Sequence, residues 1–210
     1  MERSPRVQKK SGYHHGDLRR SLVNAALQLV QEQGAAAVTL REVARMAGVS
    51  HQAPYRHFAD RSELLAAVAE EGFRALHAEL VGATRKAADP SSALRAIGVT
   101  YVTFAVAHPA HFRVMFGAEA AACLEGKPSL AAAADAIHGL LAQTIAEVQR
   151  TIRGGPDTLD YALTAWSVVH GLASLLVEGQ LERRVYANRS PRELAELVTS
   201  TLRGGLRGQE

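Results

Sequence analysis

The sequence predicts an all-α protein in two parts, a small N-terminal helical unit followed by a larger helical body. Ala, Leu, Glu and Arg dominate the 210 residues, and apolar residues recur at helical spacing in nearly every segment. No segment shows the alternation that is typical of a sheet. The predicted helices between residues 39 and 58 are short and those after residue 89 are long, which indicates two kinds of organisation along the chain.

Two helices are predicted before residue 47. The first 15 residues are polar and basic, and Asp17 can cap a first helix that Gly34 ends. A short second helix runs from Thr39 to about Met46. Its apolar side chains are small or medium in size, so another helix can cross it closely.

The next segment is typical of a helix-turn-helix. Gly48 supplies the turn, because glycine adopts a positive φ at little cost, and Ser50 opens a helix that ends near Phe58. Phe58 is the expected inward anchor. The opposite face exposes His51, Gln52, Tyr55 and Arg56. Donors and an aromatic ring on an exposed helix suit the major groove of DNA, although similar hairpins occur in unrelated α proteins.

Longer helices fill the rest of the chain. Asp60 with Glu63 is typical of a capping box, and its helix extends to Leu80. Residues 117–128 contain two glycines and a proline and are predicted as a loop. The later helices are predicted to start at Ser91 or Ser92, at Ser129, at Asp157 and at Ser190.

Charge is distributed unevenly. Residues 1–20 carry six basic and two acidic groups, residues 21–60 are balanced, and the whole chain has a net charge of +3. A basic arm of this kind is typical of nucleic-acid binding but also of a solvated tail. A single cysteine permits no intrachain disulfide and favours a reduced, cytoplasmic compartment. No apolar run approaches the roughly 18 residues that span a bilayer, and no secretory signal is expected.

The first 65 or so residues resemble the DNA-binding domain of the TetR family of bacterial transcriptional repressors. The motifs that carry the resemblance are Gly34, Thr39-Leu40-Arg41, Val43-Ala44, Ala47-Gly48-Val49-Ser50, Tyr55-x-His57-Phe58, Arg61 and Leu64-Leu65. The C-terminal part resembles a WHG-type TetR ligand-binding domain. Its motifs are His108-Pro109-x-x-Phe112-Arg113-x-Met115-Phe116 and Trp166-Ser-Val-Val-His170-Gly171.

The resemblance implies a flexible arm over residues 1–15, a helix-turn-helix DNA-binding domain over 16–74 and a helical ligand-binding and dimerisation domain over 75–210. It implies a repressor that binds a palindromic double-stranded DNA operator as a homodimer and is released by a small-molecule effector. The last two long helices would pair with their copies in a second subunit. An activator or architectural DNA-binding protein without an inducer would share the same N-terminal domain, and a helical enzyme is a more distant alternative.

The resemblance also assigns roles to individual positions. Arg41, His51, Gln52 and Tyr55 would contact base edges, and Thr39, His57 and Arg61 would hold phosphates. Pro54 stands where the family often has leucine or another apolar residue. Because proline removes a backbone N–H, the recognition helix is expected to start with an irregular turn.

The effector pocket is expected among the middle helices. Its candidate lining residues are Phe104, His108, Phe112, Met115, Phe116, Trp166 and His170. Each of them is also suited to an ordinary core position. No metal site is expected, because Pro109 lies between His108 and His111 and no third ligand is evident. Cys123 lacks a neighbouring activating pattern, and neither a cofactor nor a catalytic group is expected.

Overall fold

The computed structural model describes residues 15–151, 157–181, 186 and 188–206, which form nine α-helices and no strand. They are α1 (His15–Gln33), α2 (Leu40–Met46), α3 (Arg61–Thr84), α4 (Pro90–Ala107), α5 (Pro109–Met115), α6 (Ala118–Cys123), α7 (Pro128–Gln149), α8 (Thr158–Val177) and α9 (Pro191–Leu206). The all-α prediction is therefore confirmed. Residues 1–14 of the predicted arm lie outside the described residues. The prediction that Asp17 caps α1 is wrong, because α1 begins at His15 and Asp17 lies within its first turn.

The three N-terminal helices share a small apolar core. α1 packs against both α2 and α3, and the side chains of Leu22, Leu29 and Val43 are fully buried between them. The hydroxyl of Thr39 accepts a hydrogen bond from the backbone N–H of Glu42 at 3.1 Å. This contact begins α2 at the predicted position, because it satisfies a backbone donor that the first turn leaves unpaired.

α3 connects the N-terminal core to the body without a break. The Asp60 carboxylate accepts from the backbone N–H of Glu63 at 2.8 Å, and the Glu63 carboxylate accepts from the N–H of Ala59 at 2.6 Å. Its buried positions run from Leu64 to Leu80 and belong to one continuous core. The predicted domain boundary after residue 74 thus falls inside a helix that both units share.

The body differs from the sequence-based prediction in three places. α4 begins at Pro90 rather than at a serine, since the Asp89 carboxylate accepts from the N–H of Ser92 at 3.0 Å. α7 begins at Pro128 rather than at Ser129. Proline suits a first helical position because its fixed φ is already helical and no partner is needed for an N–H. Residues 117–128, predicted as a loop, contain the short helix α6.

α8 combines a packed side with an exposed apolar side. It contacts α4, α7 and α9, and its most buried positions include Ala165, Val169 and Ala173. Among the described helices it alone is long and apolar enough, by length and composition, to cross a membrane. The other side of α8 and the neighbouring surface of α9 expose large apolar side chains, namely Leu159, Leu163, Val168, Leu175 and Leu197. We refer to these five residues as the α8/α9 apolar face.

Candidate nucleic-acid interface and ligand cavity

The segment after α2 turns as the helix-turn-helix pattern predicts. Gly48 has a φ of 68°, a conformation that costs glycine little and other residues more. The N–H of Val49 donates to the carbonyl of Ala44 at 3.0 Å, which closes the turn on α2. The chain is thereby redirected within four residues.

The predicted second helix, Ser50 to Phe58, does not form as an α-helix. It consists of a turn followed by a 3-10 helix over Pro54–Arg56. In an α-helix capped by Ser50, residue 54 would donate the first hydrogen bond back to the Ser50 carbonyl, but proline has no N–H. The N–H of Ala53 donates to that carbonyl instead, at 2.9 Å. This is an i→i+3 hydrogen bond, which is typical of the tighter 3-10 helix.

Pro54 also lies on the side of this segment that faces the N-terminal core. Pro54 is buried and Phe58 is 1% exposed, so both pin the segment to the N-terminal core. Tyr55 lies between them and is 56% exposed. Phe58 is therefore the inward anchor that the sequence predicted, and Arg19 of α1 places its guanidinium 5.3 Å from the centre of the Phe58 ring.

Most of the residues predicted to contact DNA are accessible. The exposed ones are Thr39, Arg41, His51, Gln52 and Tyr55. His57 is partly buried and lies next to Phe58, with 6.5 Å between the ring centres. Arg41 makes no ion pair or side-chain hydrogen bond with any residue in the described part of the chain. A free cation and several free donors thus surround the turn.

Arg61 occupies a different environment from the one predicted for a phosphate contact. Its Nε donates to the carbonyl of Val38 at 2.9 Å, and one terminal nitrogen donates to the carbonyl of Ala35 at 2.8 Å. The same nitrogen lies 3.1 Å from the Glu119 carboxylate on α6. Arg61 therefore joins the α1–α2 connection, α3 and the body, and its contact with a phosphate stays a prediction.

The surroundings of the Glu119 side chain favour its charged carboxylate form. Its own backbone N–H and the Arg61 guanidinium both stabilise the carboxylate and lower the pKa of Glu119. Two further contacts join α3 to the segment around α6. The Lys127 ammonium lies 3.6 Å from the Glu63 carboxylate, and the Cys123 thiol lies 3.9 Å from the carbonyl of Ser62.

We expect Arg61→Met to lower the free energy of unfolding by about 1.5–3 kcal/mol, since two carbonyls and a carboxylate lose a charged donor. Arg45→Met is the matched control. Among the described residues Arg45 pairs only with Glu42, on the exposed surface of α2, and such a pair contributes roughly 0–1 kcal/mol. Urea denaturation of both variants measures the difference. Equal losses in the two variants would contradict the role given to Arg61.

The body encloses a cavity of about 260 Å³ between α3, α4, α7, α8 and α9. Most of its wall is apolar or aromatic, which is typical of small-molecule sites. The lining residues are Leu80, Ser91, Leu94, Arg95, Ile97, Gly98, Tyr101, Ile137, His138, Leu141, Val148, Thr151, Tyr161, Ala165, Trp166, Val169, Thr199 and Leu202.

Of the residues predicted to line the pocket, only Trp166 lines this cavity. Phe104, Phe112 and Met115 are buried in the core, and His108 is exposed, 3.9 Å from the Glu79 carboxylate. Phe116 and His170 belong to an aromatic cluster. The other six predicted residues do not belong to the cavity wall but pack against protein side chains or lie on the surface, so their place in an effector pocket stays a prediction: Phe104, His108, Phe112, Met115, Phe116 and His170.

The aromatic cluster adjoins the cavity through Tyr101. The Tyr101 hydroxyl lies 2.8 Å from Nδ1 of His170, and the Phe112 and Phe116 rings lie 5.3 and 4.6 Å from the imidazole. Burial lowers the pKa of His170 and raises the pKa of Tyr101. Both shifts favour a neutral imidazole that accepts from the tyrosine O–H, so this hydroxyl is already committed within the protein.

No group of three or more metal-ligating side chains occurs in the described ranges. The sequence does not predict the contact of Glu119 with Arg61. It also does not predict the part of the cavity wall around Arg95. Arg95 carries a recognisable signal, because it is the only charged residue between Asp89 and His108. Nothing in the sequence pairs Glu119 with a residue 58 positions earlier.

Two family models match the chain. Residues 22–68 match the model described as bacterial regulatory proteins, tetR family. Residues 94–202, about half of the chain, match the model described as tetracyclin repressor-like, C-terminal domain. The first match contains the turn and its exposed side chains, and the second contains most of the cavity wall.

The chain is also similar to individual proteins. The HTH-type transcriptional regulator BetI of Rhizobium meliloti (strain 1021) is 37% identical over 79 residues, which is 38% of this chain and 39% of BetI. The chain thus matches about two fifths of that curated relative's length. A solved protein of unknown function from Rhodococcus sp. RHA1 is 32% identical, with a TM-score of 0.77 over 95% of this chain and all of that one. The fatty acid degradation regulator FadR of Bacillus halodurans, 17% identical, shares the fold with a TM-score of 0.74 over 96% of this chain and all of FadR.

Proposed function

This chain belongs to the TetR family of DNA-binding bacterial regulators, and on that premise we propose that it is a repressor that binds a palindromic operator as a homodimer and leaves it when a small molecule binds. The observation that carries the proposal is the exposed group of donors around an anchored turn. Gln52 and Tyr55 are exposed while Phe58 holds the segment from inside. Members of this family are regulators and not enzymes, and so is this chain.

The exposed side chains suit distinct parts of a DNA duplex. Gln52 can pair with adenine and Arg41 with guanine, each through two hydrogen bonds in the major groove. His51 and Tyr55 complete the proposed base contacts. Thr39 and His57 flank them and are assigned to phosphates, which fix the orientation of a protein on DNA without reading sequence.

We expect Gln52→Ala to relax the operator preference at one base pair by about 1–3 kcal/mol while binding to unrelated DNA is unchanged, since only a base contact is lost. Competition between the operator and its single-base variants measures this preference. Gln143→Ala, on the exposed surface of α7, is the matched control. A uniform weakening across all sequences would assign Gln52 to a phosphate instead.

A second copy of the chain supplies the second half of the operator in this proposal. Helix-turn-helix dimers place two reading segments about one duplex turn apart, which matches a palindrome. The α8/α9 apolar face supports pairing because it leaves large side chains in water, with Leu159 and Leu163 71% and 60% exposed. Gly171 on α8 has open space where a side chain would project, so helices can approach closely there.

The cavity supports an effector-responsive repressor over an architectural DNA-binding protein, because an architectural protein needs no enclosed apolar site. α8 contributes both to the cavity wall and to the α8/α9 apolar face. A molecule that enters the cavity would therefore contact the helix that is proposed to set the distance between two copies. The cytoplasm is the proposed compartment, since the operator is there.

A further inference from the structure

Arg95 is the only formally charged side chain among the described residues that line the cavity. No aspartate or glutamate occurs among the lining residues that the structure describes. Arg95 also makes no ion pair or side-chain hydrogen bond with any other residue whose structure is described. On its own helix, the residues three and four positions away are Ser91, Ser92, Gly98 and Val99, and none of them carries a charge.

The position of Arg95 makes this charge available to a ligand. Its side chain is exposed and borders both the cavity and an adjacent open groove. Lys86 and Arg192 line the groove together with Glu79 and Glu196, and Arg192 is paired with Glu196 at 3.2 Å. A cation at the mouth of an apolar cavity attracts an anion more strongly than it would in open water, because the local dielectric constant is lower.

Two of the other polar groups in the wall are already bonded within the protein. The Tyr101 hydroxyl is bonded to His170, and the Tyr161 hydroxyl donates to the carbonyl of Leu202 at 3.3 Å. The Trp166 ring packs edge-on against His138, with 5.1 Å between the ring centres. The volume of about 260 Å³ lies just below the roughly 300–1,000 Å³ that is typical of small-molecule pockets, so the cavity suits a compact guest.

We propose that the cavity binds a compact organic carboxylate whose apolar, ring-sized body lies against Trp166 and whose anionic group pairs with Arg95. This rests on the proposed effector response and names the class of effector. The guanidinium can donate two parallel hydrogen bonds to a carboxylate. Aliphatic and aromatic walls then select the body by shape, while the single cation selects the charge.

The test uses three probes that share one body and differ in charge, namely 3-phenylpropionate, 3-phenylpropanamide and 3-phenylpropylamine. Titration calorimetry of the full chain gives the affinities, and the fluorescence of Trp166, the only tryptophan in the chain, reports whether the cavity is occupied. We expect the acid to bind at least tenfold more tightly than the amide, to bind more tightly than the amine, and to change the Trp166 emission.

Two variants locate the charge that makes this selection. Arg95→Gln should bring the acid and the amide to similar affinities. Lys86→Gln removes a cation that borders only the groove and should leave the preference for the acid intact. Equal binding of acid and amide by the unmodified chain, a preference that survives Arg95→Gln, or no binding of the acid at millimolar concentration overturns the proposal.

A DNA-binding assay run in parallel separates this inference from the proposed function. Specific operator binding without binding of the acid would reject the carboxylate effector and leave the DNA-binding regulator standing. Binding of the acid with Trp166 reporting, but without any specific DNA binding, would confirm the cavity chemistry and reject the operator.

Discussion

Leu163→Glu is expected to convert the protein from a dimer to a monomer and to weaken operator binding by at least a hundredfold. Leu163 is 60% exposed in the single chain, so the fold should tolerate the change within about 0.5 kcal/mol. In a two-fold interface each copy presents the same surface to the other. The new carboxylates would lie in an apolar contact and repel each other, which costs several kcal/mol.

Light scattering coupled to size-exclusion chromatography measures the mass, and a gel-shift titration measures operator affinity. Val106→Glu is the matched control, because Val106 is an exposed apolar residue of α4 outside the α8/α9 apolar face. The control should remain dimeric with unchanged affinity. A Leu163→Glu protein that stays dimeric and binds the operator normally would show that α8 does not form the interface.

Phe58→Ala and Tyr55→Ala are expected to have opposite effects although the two rings are three residues apart. Phe58 is 1% exposed, and truncation of a buried phenylalanine lowers the free energy of unfolding by about 3–5 kcal/mol. Tyr55 is 56% exposed, so its loss should change stability by less than about 0.5 kcal/mol. If Tyr55 contacts a base, the same substitution weakens operator binding by about 1–3 kcal/mol.

Urea denaturation gives the stability of both variants, and operator titration at a temperature where both remain folded gives their affinities. Each variant serves as the control for the other. A large loss of stability in Tyr55→Ala, or a normal stability in Phe58→Ala, would mean that the segment after Gly48 is anchored differently from the arrangement described above.

The features that sequence predicted best depend on residues close together in the chain. Asp157 caps α8 through the N–H of Leu159 at 2.8 Å, and the Ser190 N–H donates to the Glu193 carboxylate at 2.7 Å. Asp60 with Glu63 forms the capping contact expected for α3. Such caps can be predicted because both partners lie within one helical turn and the unpaired N–H groups are always present.

The form of the segment from Ser50 to Phe58 is only partly predictable from the sequence. Pro54 predicts an irregular turn at the start of the segment, but the sequence still predicts a helix from Ser50 to Phe58. In the structure the Ser50 carbonyl accepts a hydrogen bond from the N–H of Ala53 instead, and the segment continues as a 3-10 helix. A single missing N–H has this large effect because the segment is too short to recover a second turn of α-helix.

The contacts of Arg61 and the identity of the cavity wall could not be predicted, because both depend on tertiary geometry. Arg61 meets carbonyls 23 and 26 residues earlier and a carboxylate 58 residues later. An apolar pattern identifies Phe104 and Phe112 as buried but does not distinguish a residue packed against neighbours from one beside empty space. Of the seven predicted pocket residues, Trp166 lines the cavity and the other six do not.

Sequence-specific binding to DNA is the central claim, and a fluorescence anisotropy titration with two duplexes tests it most directly. One duplex carries the promoter region of the chain's own gene, and the other is a shuffled sequence of the same length and composition at the same salt concentration. Specific recognition predicts binding to the promoter that is tighter by about a thousandfold or more. Equal affinity for both duplexes would contradict the account.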